Sequence, residues 1–159
     1  MLALAYNLYI TTMSDKALSG LKVVELAEFD AGPYCGKLLA DLGAEVLKVE
    51  EPGLGDYLRS FAPLIDGESR FFLNVNRNKK SIAINLKKPE GRRLLADLVR
   101  SADVLVESFR PGVMARLGLG YDTLKEINPG LVYCALTGYG LDGPYAHQAG
   151  HDVNYLGYS

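Results

Sequence analysis

LKVVELAEFDAGPYCGKLLADLGAEVLKVE, residues 21–50, decides the fold. Residues 21–27 set strand-favouring apolar side chains in close succession, over a length that suits a buried strand. Ala31-Gly32-Pro33 then turns the chain, with proline near a helix start. Residues 34–42 space their apolar side chains as a helix that stops at Gly43. Residues 45–50 alternate as a second strand directly after that stop. A strand, a helix and a strand joined this tightly make a crossover unit, so the two strands are expected to run parallel.

The same alternation continues downstream. Residues 81–86 read as a strand, 89–101 as a helix with proline in its first turn, and 103–106 as a further strand. Two short helices, 111–117 and 121–128, precede a strand at 131–136. Between these units, residues 51–78 carry Pro52, Gly53, Gly55, Pro63 and Gly67 and read as one long loop, of the kind that tends to carry function. Strands alternating with helices predict an α/β fold with a doubly wound, Rossmann-like parallel sheet.

The chain has 159 residues, 48% hydrophobic and 23% charged, enough for a single core. Residues 1–20 read as a disordered N-terminal extension. Their apolar stretch at 2–12 has no basic region before it and is too short to span a bilayer. Residues 21–159 read as the N-terminal segment of one α/β domain, and the chain stops at Ser159 as a truncated one would.

A formal net charge of −2, from 17 basic and 19 acidic residues, gives no overall attraction for nucleic acid or an anionic membrane. Cys35 and Cys134 form no CxxC pattern and read as reduced thiols, which fits a cytoplasmic location. No Walker A sequence occurs, no GxGxxG follows the first strand, and no GxSxG is present. His147 and His151 lie four apart without the glutamate of HExxH, so no metal site is expected.

In open α/β sheets ligands bind beyond the carboxyl ends of the strands, here residues 28–33, 50–56, 108–112 and 137–143. Arg77, Lys79, Lys80, Lys87, Lys88, Arg92 and Arg93, followed by Arg110 and Arg116, concentrate positive charge in a slightly acidic chain. Read alone, that run is a solvated helix face; beside a phosphorylated ligand it would supply charge-assisted hydrogen bonds. His151 follows a glycine-rich turn, and Asp152 beside it would bias an imidazole acting near neutral pH. Spacing alone favours a loop histidine satisfied by local backbone over a catalytic one.

Five blocks occur in order: AGPYCGKLLADLGAEVLKVE (31–50), NRNKKSIAINLK (76–87), DVLVESFRPG (103–112), GYGLDGP (138–144) and GHDVNY (150–155). Together they resemble the N-terminal part of the family III CoA-transferase and α-methylacyl-CoA racemase superfamily. The resemblance implies the first part of that family's large domain and a CoA thioester as ligand. Coenzyme A then arrives on the substrate, so no separate cofactor is implied. Acyl-CoA or CoA would be the partner, with no nucleic acid or membrane, and the full-length protein would form an interlocked homodimer.

By position in the blocks, Lys87, Ser108, Phe109 and Arg116 would hold the nucleotide portion of CoA. Lys87 and Arg116 would neutralise phosphate, Phe109 would pack on an adenine or ribose face, and Tyr155 would line the pocket. Some members carry an arginine where this chain has Glu51. The GHDVNY block is closer to the racemases, which implies epimerisation of a 2-methylacyl-CoA through an enolate. His151 would exchange the α-proton and Asp152 would orient the groups around it. The alternatives are a CoA transferase working through an aspartyl-CoA intermediate, its aspartate beyond residue 159, and a fragment that only binds CoA.

Overall fold

Val23 and Val24 are both buried, and they point to opposite faces of one strand, so the sheet is covered on both sides. A computed structural model describes residues 16–157. Along the chain run β1 (Lys22–Leu26), α1 (Ala31–Asp41), β2 (Glu45–Glu50), a 3-10 turn (Tyr57–Ser60), β3 (Leu64–Ile65), β4 (Glu68–Ser69) and α2 (Arg70–Asn76). They are followed by β5 (Lys80–Ala83), α3 (Pro89–Val99), β6 (Val104–Glu107), α4 (Val113–Arg116), α5 (Tyr121–Ile127), β7 (Val132–Ala135) and α6 (Asp152–Leu156).

The main sheet has the order β5-β2-β1-β6-β7, with every neighbouring pair parallel. This is the doubly wound arrangement read from the sequence. Winding proceeds outward from β1 to β5, returns through α3 to β6 on the other side of β1, and ends at β7. One face, with Val23, Val46 and Val106, packs with Ala40 of α1. The other, with Val24, Leu26, Val49 and Leu105, packs with Leu95 and Val99 of α3, Met114 of α4 and Leu124 of α5. Each fully buried Val or Leu contributes about 1.5–3 kcal/mol by leaving water.

Three boundaries differ from the sequence reading for identifiable reasons. Helix α1 begins at Ala31 rather than at residue 34, which puts Pro33 in the first turn, where a missing N–H costs nothing. Strand β5 stops at Ala83 because Asn85 turns the chain. Its side-chain oxygen accepts the Lys87 N–H at 3.0 Å and its carbonyl accepts the Lys88 N–H at 3.1 Å. The expected loop over 51–78 holds the 3-10 turn, the β3-β4 hairpin and α2. Ser69 caps α2 by accepting the Phe72 N–H, and Phe72 and Val75, one turn apart, bury against Leu58.

Of the expected N-terminal extension, residues 1–15 lie outside the described residues. Residues 17–20 form a turn in which the Leu18 N–H donates to the Leu42 carbonyl at 3.0 Å. Among the described residues no helix is long and apolar enough to cross a membrane.

Candidate functional site

The winding reverses between β1 and β6, and the loops leaving those strands are tied together there. Ser108 Oγ accepts the backbone N–H of Glu28 at 3.1 Å. A crevice at such a switch point is where open α/β sheets place their ligands. Two hollows open beside it. The first is an apolar cavity of about 220 Å³, walled by Leu26, Val49, Ile84, Leu86, Phe109 and Val113, with Glu28, Glu50, Glu51 and Lys87 also on its lining. That volume lies below the roughly 300–1,000 Å³ of pockets that enclose a drug-sized ligand, so it suits one ring system of a longer molecule. The second is a more polar cleft of about 440 Å³ running from Glu28 and Gly32 past Ser108 to Thr137, Gly138 and Tyr155.

Beneath the rim lies a layer of buried charge. Glu25 and Lys48 are neighbours across β1 and β2, and both are almost fully enclosed. Lys48 Nζ meets Glu25 at 3.2 Å, Asp56 at 2.8 Å and the Ala27 carbonyl at 2.6 Å. Lys79 Nζ joins from the far side, 2.8 Å from Glu25 Oε2, and also donates to the Pro33 carbonyl and to Asn76 Oδ1. Gly36 is what admits this layer under α1, because any Cβ there would overlap the Glu25 carboxylate. Burial pulls the Lys79 ammonium below its ordinary pKa, against the opposing pull of Glu25.

Glu50, at the end of β2, holds the next loop in place. Burial acts to raise its pKa, but the Arg59 fork, the Ser81 hydroxyl and the Asp56 N–H together hold the carboxyl down at about 2. Arg59 also lies over the Phe72 ring at 3.8 Å. On β6, Glu107 accepts the Phe109 N–H at 2.7 Å and the Tyr133 hydroxyl at 3.3 Å, which fixes the loop that carries Phe109. Burial raises the Glu107 pKa even so. Phe29 starts the β1–α1 turn at φ 62°, a left-handed conformation that costs a non-glycine residue about 1–2 kcal/mol, and its ring stacks on Tyr57.

The structure brings the expected site residues together unevenly. Lys87 and Phe109 line the apolar cavity, while Ser108 and Tyr155 line the cleft. The Tyr155 hydroxyl lies in the space left free by Gly138 and Gly150. Arg116 is exposed on α4, its guanidinium turned back toward Gly112, and lines neither hollow. His151 and Asp152 are exposed at the start of α6 and line neither hollow as well. The His151 N–H donates to Asn154 Oδ1 at 2.9 Å, an ordinary helix-start arrangement.

The basic run disperses on folding. Lys79 turns into the core, Arg77 pairs with Asp41, Lys80 with Glu45 and Lys87 with Glu51, while Arg92 donates to the Leu86 and Lys87 carbonyls. Those residues serve mostly as separate struts.

The CoA-transferase family III profile matches residues 18–159. The chain belongs to CoA-transferase family III. An acyl-CoA transferase of Fusarium pseudograminearum is 50% identical over 150 residues, covering 87% of this chain and 32% of that protein. The succinyl-CoA:glutarate CoA-transferase of Mus musculus is 49% identical over 141 residues, covering 88% of this chain and 32% of its own length. The crystal structure of a CaiB/BaiF family protein from Brucella suis superposes with a TM-score of 0.86 at 45% identity, covering 91% of this chain and 39% of that one. The chain therefore spans about a third of the length of the curated relatives it matches. Its doubly wound sheet is the family's own, and the switch-point crevice is the part of that sheet described here.

Proposed function

We propose that this chain supplies the CoA-holding side of an active site that moves CoA from one carboxylic acid to another. The observation that carries the reading is the pair of hollows at the switch point: an apolar cavity with Lys87 and Phe109 on its wall, and a polar cleft beside it. The cavity suits the adenine end of CoA, with Lys87 at its mouth for phosphate. The cleft suits the thioester, with Tyr155 on its wall. The names of the relatives favour this transferase reading over the racemase reading, since relatives about half identical to this chain are called CoA transferases. Epimerisation has less support, because His151 and Asp152 stand outside the cleft.

The chemistry follows from the resemblance. A carboxylate of the enzyme attacks the acyl-CoA carbonyl and expels CoA thiolate, leaving a mixed anhydride. The thiolate then attacks the enzyme's carbonyl and releases the first acid, giving an enzyme-bound CoA thioester. The second acid repeats the sequence in reverse. The aspartate implied for this role would follow residue 159. What this chain contributes is binding and orientation. The exposed aromatic row of Phe29, Tyr57, Phe61 and Phe71 supports the homodimer that the resemblance implies, since it offers apolar surface for a second chain to cover.

The full-length protein, given succinyl-CoA and glutarate, is expected to form a new acyl-CoA with ping-pong kinetics. A 2-methylacyl-CoA in deuterated water is expected to gain no α-deuterium. Deuterium incorporation without transfer would overturn the reading in favour of epimerisation. Binding of CoA with neither reaction would leave only a CoA-binding protein.

A further inference from the structure

Among the residues lining the two hollows, Glu28 alone belongs to both. A ligand that reaches from the apolar cavity into the cleft must pass it. Its backbone is fixed by the hydrogen bond to Ser108, yet its carboxyl has no hydrogen-bond or ion-pair partner among the described residues. The group is half-buried at the end of β1. Asp56, Glu51 and Glu50 face it from the β2 side, and Lys48 faces it from beneath. Burial, then those three carboxylates, raise its pKa, and Lys48 only partly offsets them.

Such surroundings repel a phosphate or a free carboxylate. They also leave a half-desolvated polar group in need of a neutral hydrogen-bonding partner. The stretch of CoA between its diphosphate and its sulfur meets that description, because it is uncharged and carries two secondary amides. Each amide offers an N–H donor and a carbonyl acceptor, so it can bond the carboxyl in either protonation state.

We infer that Glu28 is the residue that grips the amide-bearing arm of CoA as it passes from the cavity to the cleft. The inference rests on the CoA reading above. Glu28 is then a binding residue that sets how far the thioester reaches into the cleft.

The test uses the full-length protein and calorimetric titration with three ligands: CoA, pantetheine as the arm alone, and adenosine 3′,5′-bisphosphate as the nucleotide end alone. Glu28→Ala is expected to weaken CoA about tenfold, on the order of one hydrogen bond lost, and to abolish measurable pantetheine binding. Affinity for the bisphosphate is expected to hold, which also shows that the variant is folded. Glu28→Gln keeps a donor and an acceptor and is expected to retain CoA affinity within about threefold. Unchanged CoA affinity in Glu28→Ala, or an equal loss for the bisphosphate, would overturn the inference while leaving the CoA reading in place. Failure of the unaltered protein to bind CoA would overturn both.

Discussion

Lys87 donates to Glu51 at 2.6 Å across the mouth of the apolar cavity, so the cation best placed for a phosphate is already held by a carboxylate. Both side chains are exposed, at 79% and 48%, and such a pair is worth roughly 0–1 kcal/mol. Glu51→Gln frees Lys87 and removes a negative charge from the phosphate's approach. CoA is expected to bind up to about fivefold tighter, with a steeper fall in affinity as salt is raised. Titrations at low and high ionic strength read both effects, and unchanged affinity would mean that the phosphates lie elsewhere.

Lys48→Met removes the cation that bridges Glu25 and Asp56 while keeping the side-chain volume, and leaves Lys79 against Glu25 alone. Removing one partner of a buried pair costs about 3–5 kcal/mol. Urea unfolding is expected to show a loss of that size. The double variant Lys48→Met with Asp56→Leu is expected to recover part of it, since one stranded charge is gone.

Acid lowers stability through Glu50. Its folded pKa of about 2 lies under the ordinary 4.5, so the unfolded chain takes up the proton first. The stabilisation is full above pH 4.5 and is lost as pH falls toward 2. Melting temperatures across that window are expected to drop for the unaltered protein and to drop less steeply for Glu50→Gln. Some slope remains, because the Arg77, Asn78 and Lys37 side chains also hold the Asp41 carboxyl well below the usual range.

Leu95→Ala opens a hole where α3 meets the sheet, at a side chain with no exposed surface. The expected cost is about 2–5 kcal/mol, read from the denaturation midpoint. CoA affinity should persist below the unfolding transition, as Leu95 does not line the cavity.

The alternation of strands and helices was legible because strand and helix periods differ and because Gly43 and Pro89 mark helix ends. The small helix α2 was not, since only seven residues separate Ser69 from Arg77 and prolines and glycines crowd the stretch before it. Of the residues implied by the resemblance, Lys87, Ser108, Phe109 and Tyr155 lie on the two hollows, whereas Arg116, His151 and Asp152 do not. Charge reads as solvent-facing, so Glu25 and Lys48 carry no motif and Lys79 reads as part of a solvated basic run, although all three side chains are buried. Strand parity carried a usable signal: Glu25 shares a face with Val23, and Lys48 with Val46, so both had to point inward. For Lys79 no local pattern betrayed the inward turn, which depends on α2 packing against α1.

The buried charges also constrain how the sequence can drift. With Glu25, Lys48, Asp56 and Lys79 sharing one enclosed set of ion pairs, replacing any one alone strands the rest, so viable lineages are expected to keep all four or exchange them in concert. Glu51 and Lys87, open to water on the rim, can change one at a time. The rim is thus free to vary while an epistatic foundation beneath it stays fixed.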